Sequence, residues 1–427
     1  MINKESYSEF GIKDSIIALA GQSEDSVRTA FNKIETVREA NQLKVIRAMQ
    51  LERLSDTHFS GTTGYGYNDR GREVLDAVFA RAFGAEDAIV RHSITCGSQA
   101  LATCLYGLLR PGDEMLSVTG KPYDTLDEVI GIRDSHGAGS LKEYGISYRQ
   151  IDTIDGKIDY NALEGAIGAN TRLVFLQRSR GYAWRAPMTV SEIAKVIGMV
   201  KAIKKDTLVM VDNCYGEFIE TEEPTGVGAD VMAGSLIKNP GGGLVPSGGY
   251  IAGTHEAVEK ISYRLTIPGI GREVGATLGH NRLMFQGFFL APHVVAESLK
   301  GAVFTAEIMS RLGFETNPGP FDERCDLIQA TRFGREDAVI AFCQGIQKGS
   351  PVDSFVRPEP WDMPGYDSPV IMAAGTFIQG SSIELSADAP IRPPYTAYMQ
   401  GGLVYEHVKL GVMRAIQELC ERGIVNM

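Results

Sequence analysis

One lysine, Lys238, stands between a short apolar run and three consecutive glycines in the stretch AGSLIKNPGGG, residues 233–243. A lysine amine attacks a carbonyl carbon only in its neutral form, so that role requires a pKa lowered by burial or by neighbouring cations. The end of a strand beside a tight glycine turn offers such burial, and Ser235 stands three residues earlier. The alternative is a solvated lysine in an ordinary turn, and Lys238 alone does not decide between the two.

Three other short features have residue types that could contact a small molecule. Gly97, Ser98 and Gln99 come between a strand and a helix, where free N–H groups and the positive end of the helix dipole bind anions. Asp212 closes the apolar strand TLVMVD, at the end where open α/β sheets bind ligands. Tyr123 follows another strand and offers a flat ring for stacking. Taken singly, each has an ordinary alternative: a helix cap, a capping aspartate and a half-buried loop tyrosine.

Short strands and helices alternate from about residue 88 onward, and these elements would position the residues above. Strands are predicted at AIVRHSIT, EMLSVT, RLVFLQRS, TLVMVD and GGYIAGT. Helices are predicted in SQALATCLYGLLRPGDE, where Pro111 and Gly112 stop the helix, and at VSEIAKVIGMVKAIKK. This alternation predicts an α/β fold with a mostly parallel sheet. Apolar spacing also predicts a long helix over residues 14 to about 55, another over 284–310, and a C-terminal helix in YEHVKLGVMRAIQELCERG.

Length and composition limit the classes of function. The 427 residues suggest about two or three domains, and the net charge of -11 argues against nucleic acid or an anionic membrane as the main partner. The six cysteines form no CxxC pair, which argues against a zinc site and fits a reducing cytoplasm. The polar start MINKESYSEFGIKDS does not resemble a signal peptide. No apolar stretch reaches the roughly 18 residues of a membrane helix. We therefore expect a soluble, cytoplasmic protein without a metal site.

The four features gain weight together because one class of cofactor requires all of them. A phosphorylated pyridine aldehyde needs a cup for its phosphate, an aromatic residue against its ring, an acidic partner for the ring N–H and an amine that forms a Schiff base. Residues 97–99, Tyr123, Asp212 and Lys238 supply these groups in chain order. A lysine Schiff base with an acidic pyridinium partner marks pyridoxal-phosphate enzymes. The sequence therefore predicts pyridoxal 5'-phosphate as the cofactor.

The sequence resembles the fold-type I pyridoxal-phosphate enzymes, and among them the methionine gamma-lyase-related, or aluminium resistance, proteins, which are relatives of the cystathionine lyases. The resemblance lies in HFSGTTGYGYNDRGREVLDAVFARAFGAEDAIVR, GSQAL, GDEMLSVTGKPYDTL, VMVDNCYGEF, GSLIKNPGGGLVPSGGYIAG and IRPPYTAYMQGGLVYEHVKLGV, which extend from about residue 55 to 415. It implies an aspartate-aminotransferase-like fold. We place an N-terminal helical arm at residues 1–59, a large cofactor-binding α/β domain at 60–290 and a small C-terminal domain at 291–427.

The resemblance also implies roles for the residues of the four features. Residues 97–99 would bind the phosphate with help from Ser235, Tyr123 would stack on the ring, and Asp212 would pair with the pyridine nitrogen. Lys238 would form the Schiff base. Lys238, Tyr123 and Asp212 are thus the predicted catalytic residues.

Further contacts follow from the resemblance. In cystathionine-type lyases a Tyr-x-Arg near the N-terminus reaches the phosphate of a neighbouring subunit. GYGYNDRGR offers Tyr67 as the first candidate and Arg72 as the second, although it lacks that motif in full, and such a contact implies a homodimer or homotetramer with shared active sites. Arg392 is the candidate for the substrate carboxylate, because a guanidinium binds a carboxylate through two hydrogen bonds; the alternative is a loop arginine held by two prolines. Arg180 and Tyr182 would face the ligand or form a surface cluster.

The resemblance implies a carbon–sulfur lyase of the cystathionine beta-lyase or methionine gamma-lyase type, acting on a sulfur-containing L-amino acid. Lys238 would remove the α-proton, for which its pKa must fall toward about 7 to 8. Three alternatives stay open. An aminotransferase or aldolase would use the same cofactor residues on the same fold, and a stress or resistance protein would bind the cofactor without lyase turnover. A structural α/β protein is the third, and the ordered set of cofactor residues argues against it.

Overall fold

The computed structural model of the chain describes residues 4–363 and 368–427. Within those ranges the helices are α1 Lys4–Ser8, α2 Asp14–Ser26, α3 Arg28–Leu51, α4 Arg70–Phe83, α5 Gly97–Leu108, α6 Asp127–Ile130, α7 Tyr160–Ala166, α8 Val190–Ile203, α9 His255–Leu265, α10 Asn281–Arg311, α11 Glu336–Lys348 and α12 Tyr405–Glu421. The strands are β1 Asp87–Arg91, β2 Glu114–Ser117, β3 Ser147–Gln150, β4 Thr171–Gln177, β5 Leu208–Asp212, β6 Val231–Ser235, β7 Gly249–Gly253, β8 Glu315–Asn317, β9 Gln329–Arg332, β10 Val370–Ala374, β11 Ser386–Pro390 and β12 Thr396–Gln400.

The chain divides into two units, and the boundaries between them fall inside α3 and α10. The large unit is Ala40–Ala291, and the small unit combines Met1–Glu39 with Pro292–Met427. The predicted helix over residues 14 to about 55 is two helices, since α2 and α3 are separated at Val27, whose φ of −95° and ψ of 11° interrupt the helix. The predicted helix over 284–310 lies within α10.

The sheet of the large unit has seven strands in the order β1-β7-β6-β5-β4-β2-β3. Parallel pairs join β3, β2, β4, β5 and β6, whereas β7 runs antiparallel to both of its neighbours, β6 and β1. The prediction of an α/β fold with a mostly parallel sheet is therefore confirmed. The five predicted strands are all present, and β3 and β6 join them.

The central strands are buried along almost their whole length. The sequences TRLVFLQ, LVMVD, VMAGS and GYIAG of β4 to β7 are nearly continuous runs of apolar and small residues, as expected for a sheet covered on both faces. One face packs against α5 and α9. A Cβ atom on Gly107 of α5 would lie 2.8 Å from the Cα atom of Ile261 on α9, so these helices cross closely on the sheet.

The small unit contains an antiparallel sheet of five strands in the order β10-β11-β12-β9-β8. Buried residues of α2, α11 and α12 share a core with this sheet; they include Ile16, Phe342 and Val412. The predicted C-terminal helix is present as α12. Among the residues that the structure describes, none of the helices is long and apolar enough to cross a membrane.

Candidate active site

Most of the predicted site residues of the large unit follow strands that end at one edge of the sheet. Asp212 is the last residue of β5, Ser235 is the last residue of β6, and Tyr123 comes after β2. Because β7 is antiparallel to both β6 and β1, β1 runs in the same direction as β6, and the loop from β1 to α5 leaves from the same edge. Ligands of open α/β sheets bind at the carboxyl ends of the strands. The topology therefore brings distant parts of the chain to one candidate site.

The start of α5 lies against the ends of β5 and β6. A Cβ atom on Gly97 would lie 3.0 Å from Sγ of Cys214 and 3.4 Å from Cβ of Ser235, so this approach favours a residue without a side chain. The Ser98 hydroxyl lies 2.7 Å from the Thr125 hydroxyl. The first N–H groups of a helix lack partners within the helix and carry the positive end of its dipole. A glycine cradle with serine hydroxyls beside it fits a phosphate group.

Gln99 belongs to the same turn, but its side chain bonds to the loop before the helix. Its Oε1 atom accepts hydrogen bonds from the N–H of Thr95 at 2.7 Å and from the Thr95 hydroxyl at 2.8 Å. Its own N–H donates to Sγ of Cys96 at 3.4 Å. Gln99 thus orders the loop that leads into α5, and its direct contact with a phosphate stays a prediction.

Lys238 follows β6 and is half-buried, with its ammonium group over an aromatic ring. Nζ of Lys238 lies 4.1 Å from the centroid of the Tyr215 ring. The glycines that follow are required by the turn: a Cβ atom on Gly241 would lie 1.7 Å from the carbonyl oxygen of Leu236. Gly242 adopts a left-handed φ of 53°, which suits glycine. These contacts argue against a solvated turn lysine.

Asp212 and Lys238 influence each other's ionisation. Burial raises the pKa of Asp212, and the charge of Lys238 opposes this rise. Burial lowers the pKa of Lys238, but the anionic forms of its neighbours raise it, and the net pKa lies above the usual value; these neighbours are Cys214, Tyr215, Asp212 and Glu217. The expectation of a lowered lysine pKa is therefore wrong for the chain alone, because the acidic groups outweigh the desolvation of the ammonium.

Tyr123 lies beside the loop that follows β4. Its ring meets that of Tyr182 edge to face, with centroids 6.2 Å apart and planes at 61°. A Cβ atom on Gly181 would lie 3.4 Å from Cδ2 of Tyr123. Arg180 is buried, so the alternative of a surface cluster does not hold for it. The structure thus brings Tyr123 and Tyr182 together, as a pair of aromatic residues near the start of α5.

Arg72 connects two loops of the large unit through its guanidinium group. Nη1 donates to the carbonyl oxygens of Gly66 at 2.8 Å and Gly275 at 3.0 Å, and Nη2 donates to that of Glu273 at 3.3 Å. Arg72 is only 2% exposed, whereas Tyr67 is 56% exposed. These contacts favour a structural role for Arg72 and leave Tyr67 as the better candidate for reaching a neighbouring subunit.

Arg392 belongs to the small unit and lies in the connection between β11 and β12. Its side chain is exposed. Its N–H donates to the carbonyl oxygen of Pro390 at 2.9 Å, and its own carbonyl oxygen accepts the N–H of Tyr395 at 2.8 Å. The backbone of Arg392 is thus fixed in a turn, and its contact with a substrate carboxylate stays a prediction.

Four residues at this edge of the sheet were not predicted from the sequence: Cys214, Tyr215, Arg185 and Thr125. The N–H of Cys214 donates to Oδ1 of Asp212 at 3.1 Å, and the charge of Arg185 opposes the rise that burial causes in the pKa of that carboxyl group. Nη2 of Arg185 donates to the carbonyl oxygen of Gln177 at 2.9 Å. Each missed residue stands close in sequence to a predicted one, but proximity alone does not show which side chains turn toward the site.

Comparisons with known proteins identify the fold and the family. The pyridoxal-5'-phosphate-dependent protein YhfS of Escherichia coli shares the fold with a TM-score of 0.60 at 16% identity, covering 90% of this chain and 97% of that one. The fold is therefore fold type I of the pyridoxal-phosphate proteins, as predicted. A profile of the methionine gamma-lyase family matches residues 16–420, and the chain belongs to that family.

Two relatives are similar over nearly their whole length. The uncharacterized protein YnbB of Bacillus subtilis is 52% identical over 407 residues, which cover 95% of this chain and 97% of YnbB. The crystal structure of a carbon–sulfur lyase involved in aluminium resistance from Clostridium novyi is 50% identical, with a TM-score of 0.95 and coverage of 98% of this chain and 100% of that one. The predicted family resemblance is confirmed.

Proposed function

We propose that the protein is a pyridoxal-phosphate-dependent carbon–sulfur lyase that acts on a sulfur-containing L-amino acid, of the cystathionine beta-lyase or methionine gamma-lyase type. The observation that carries the proposal is the meeting of Asp212 and Lys238 with the Gly97 cradle at one sheet edge. Membership of the methionine gamma-lyase family and the similarity to a carbon–sulfur lyase support the same activity. Whether the leaving group departs from the β- or the γ-carbon depends on the substrate.

The cofactor residues follow from the chemistry of each group. Gly97, Ser98 and Ser235 would hold the phosphate, with Gln99 ordering the turn, and Tyr123 would stack on the ring. Asp212 would accept a hydrogen bond from the ring N–H, and Lys238 would bind the aldehyde carbon. When bound, pyridoxal phosphate supplies a carbonyl group that condenses with amines and a pyridinium ring that stabilises negative charge at the α-carbon.

Lys238 would act as the base, and the charges around it decide when it is neutral. In the chain alone, Asp212 is one of the groups that raise the pKa of Lys238. A cation held against Asp212 would cancel that contribution and move the pKa of Lys238 toward the range that a base needs at neutral pH. Nζ would then take the proton from the α-carbon of the substrate and return it to the leaving thiolate or the product.

The substrate contacts are proposed on the chemistry of the side chains. Arg392 would bind the carboxylate of the amino acid with two hydrogen bonds. Arg180 and Tyr182 would line the approach to the ring, since Tyr182 packs against Tyr123. We also propose a small amino acid as the ligand rather than nucleic acid or membrane, and the cytoplasm as the location.

A panel of L-amino acids tests the activity. The purified protein is incubated with pyridoxal phosphate and with cystathionine, cysteine or methionine, and keto acid, ammonia and thiol are measured. Pyruvate marks β-elimination and 2-oxobutyrate marks γ-elimination. Absence of product from all three substrates would refute the lyase. Turnover only with a keto-acid acceptor would indicate an aminotransferase, and turnover only of β-hydroxy amino acids an aldolase.

Borohydride trapping tests the lysine. Reduction of the cofactor-loaded protein should fix the cofactor covalently, and Lys238→Ala should abolish the adduct. Lys195→Ala is the matched control, because Lys195 also lies over a tyrosine ring, with Nζ 3.5 Å from the Tyr160 centroid, but on an exposed part of α8. An adduct that persists in Lys238→Ala contradicts the assignment.

We further propose a homodimer or homotetramer in which Tyr67 of one copy contributes to the phosphate site of its neighbour. Its exposure makes this contact available. Mixing inactive Lys238→Ala with inactive Tyr67→Phe should restore part of the activity if the two residues serve one site from different copies. No recovery in a mixture shown to exchange subunits would contradict the shared site.

A further inference from the structure

Beneath the turn that follows β5 lies a group of buried polar side chains, which we call the buried cluster. Its members are Arg178, Asn213, Glu217, Glu223 and Tyr250, all within the large unit and all buried. The cluster lies outside the proposed cofactor contacts. It contains two carboxyl groups and one guanidinium group. The guanidinium contacts Glu223, whereas Glu217 accepts a hydrogen bond from Tyr250, so the two carboxyl groups have different surroundings.

Glu223 is the carboxyl group with ionic and hydrogen-bond partners. Its Oε2 atom lies 3.4 Å from Nη1 of Arg178 and accepts a hydrogen bond from Nδ2 of Asn213 at 3.1 Å. Its Oε1 atom accepts the N–H of Phe218 at 2.8 Å. Nη1 of Arg178 also donates to Oδ1 of Asn213 at 2.8 Å. Nη2 of Arg178 also lies 2.7 Å from Oε2 of Glu220, so Glu220 and Glu223 share the guanidinium group.

Glu217 has different surroundings. Its Oε1 atom accepts a hydrogen bond from the Tyr250 hydroxyl at 2.7 Å, while its Oε2 atom has no hydrogen-bond partner among the residues that the structure describes. The side chain is 0% exposed. Burial raises the pKa of Glu217 to about 8, and the hydrogen bond from Tyr250 opposes this rise. A buried carboxyl group with a single donor is favoured as the neutral acid.

Glu217 is connected to the segment that carries Lys238. The side chain of Asn239, the residue after Lys238, donates from Nδ2 to the carbonyl oxygen of Glu217 at 2.9 Å. A Cβ atom on Gly234, just before Ser235, would lie 2.7 Å from Oε1 of Glu217. The Glu217 side chain therefore packs directly against β6, on the segment that leads to the lysine.

Glu217 is also connected to the segment that carries Asp212. The hydroxyl of Tyr250, its hydrogen-bond donor, lies 3.4 Å from Nδ2 of Asn213, the residue after Asp212. The turn from Asn213 to Glu217 is strained, because Tyr215 has a φ of 67°, which is rare for a bulky residue. The ring of Tyr215 is the one that lies under Nζ of Lys238. A change at Glu217 can therefore reach both Asp212 and Lys238.

We propose that Glu217 is a positioning residue of the candidate site: as a neutral acid it holds the turn between Asp212 and Lys238, and its ionisation places a negative charge that favours the protonated lysine. The inference rests on the proposed function, because its effect is read at Lys238. The titratable and charged groups that face Glu217 and its hydrogen-bond partner are Tyr250 from β7, Lys238 from the segment after β6, Glu223 with Arg178 from the cluster, and Cys214 from the turn after β5.

The first test reads the site through the cofactor. The visible absorbance of the pyridoxal-phosphate-loaded protein is titrated with pH for the wild type, for Glu217→Gln and for the control Glu222→Gln, whose carboxyl group is exposed. The wild type and the control should show a step near pH 8 in addition to other transitions, and Glu217→Gln should lack that step. Identical titrations of wild type and Glu217→Gln would overturn the inference.

The second test needs no cofactor. An infrared difference spectrum of the wild type between about pH 6 and about pH 10 should show the carbonyl band of a neutral carboxylic acid that disappears as pH rises, and Glu217→Gln should lack it. If Glu217→Gln does not fold, Tyr250→Phe serves instead. Because the Tyr250 hydroxyl lowers the pKa of Glu217, the carbonyl band should disappear at a higher pH in Tyr250→Phe than in the wild type. A wild-type spectrum without the band would overturn the inference.

The two tests separate the inference from the proposed function. A wild-type protein that binds no pyridoxal phosphate at any pH overturns the proposed function and, with it, the coupling to Lys238. A protein that binds the cofactor while wild type and Glu217→Gln titrate alike overturns the inference alone.

Discussion

The close approach of α5 to the ends of β5 and β6 makes Gly97 the most direct place to perturb the proposed phosphate cradle. In Gly97→Ala the added methyl group would lie 3.0 Å from Sγ of Cys214, 3.4 Å from Cβ of Ser235 and 3.6 Å from the backbone nitrogen of Ser235. Optimal separations between such atoms are about 3.5 to 4.0 Å. The start of the helix must therefore move away from the two strands by a few tenths of an ångström.

The expected cost follows from the overpacked contact. Inserting a methylene or methyl group into a well-packed site costs about 1 to 3 kcal/mol, and each 1.4 kcal/mol corresponds to about a tenfold change in affinity. Part of this cost should appear as lower stability of the unbound protein. The rest should appear in binding, because the N–H groups of the helix start move away from Ser235. We expect the Kd for pyridoxal phosphate to rise by about tenfold.

The assay is a titration of cofactor-free protein with pyridoxal phosphate, followed by absorbance, with a thermal unfolding curve for each variant. Gly198→Ala is the matched control, since a Cβ atom on Gly198 of α8 meets no atom within 4 Å. That exchange should raise stability by up to about 1 kcal/mol and leave the Kd unchanged. A folded Gly97→Ala protein with the Kd of the wild type would refute the reasoning.

Three further perturbations address charge. Asp212→Asn should lower lyase activity by at least about 100-fold while the cofactor still binds, because a neutral amide cannot balance a positive ring nitrogen; steady-state rates and absorbance measure the two effects. Asp76→Ala should cost about 3 to 5 kcal/mol of unfolding free energy in urea, because Arg91, whose Nη1 lies 2.7 Å from Oδ1 of Asp76, would remain buried without its partner. Glu217 has a folded-state pKa of about 8, above its ordinary value of 4.5, so its contribution to stability is fully present below the ordinary pKa and is lost as pH rises from there to about 8. Glu217→Gln should remove that slope, at most about 1.4 kcal/mol per pH unit, from urea unfolding curves measured across pH.

The Asp76 and Glu217 substitutions each have a control in the chain. Asp25→Ala removes an exposed partner of Arg28, whose Nη2 lies 3.5 Å from Oδ1 of Asp25, and should change stability by less than about 1 kcal/mol. Glu222→Gln removes an exposed carboxylate and should keep the pH slope of the wild type. Equal costs for Asp76→Ala and Asp25→Ala, or equal slopes for wild type and Glu217→Gln, would contradict the corresponding argument.

The places of Asp212 at a strand end and of Lys238 before a glycine turn could be predicted from the sequence, whereas their roles stay predictions. The apolar run TLVMVD makes the end of β5 visible, and the glycines after Lys238 indicate a tight turn. The strand β6 is harder to predict, since Gly234 interrupts its apolar pattern. In the structure that glycine makes room for the Glu217 side chain, so the feature that weakens the sequence pattern is the one that the buried cluster requires.

Other properties of the site depend on contacts that no local pattern contains. The direction of the pKa shift of Lys238 follows from four acidic groups whose proximity only the folded chain reveals. Tyr215 lies under the lysine because its backbone adopts a left-handed φ, which sequence rarely predicts for tyrosine. Arg72 stands in the motif-like stretch GYGYNDRGR, yet its guanidinium donates to the carbonyl oxygen of Gly66 in that same stretch and to those of Glu273 and Gly275, about 200 residues away in sequence.

The position of the phosphate cradle itself follows from the reversal of one strand. β1 is one of the two outermost strands of the sheet, and only β7 separates it from β6. Because β7 runs antiparallel to both strands, the carboxyl end of β1 lies at the same end of the sheet as Ser235. The helix α5, which follows β1, can therefore begin against Cys214. If β7 were parallel to β6 and antiparallel to β1, the Gly97 turn would leave from the opposite edge of the sheet. The anion-binding character of Gly97 and Ser98 is therefore local, but their meeting with Lys238 depends on strand order, which is why the turn taken alone could not be distinguished from an ordinary helix cap.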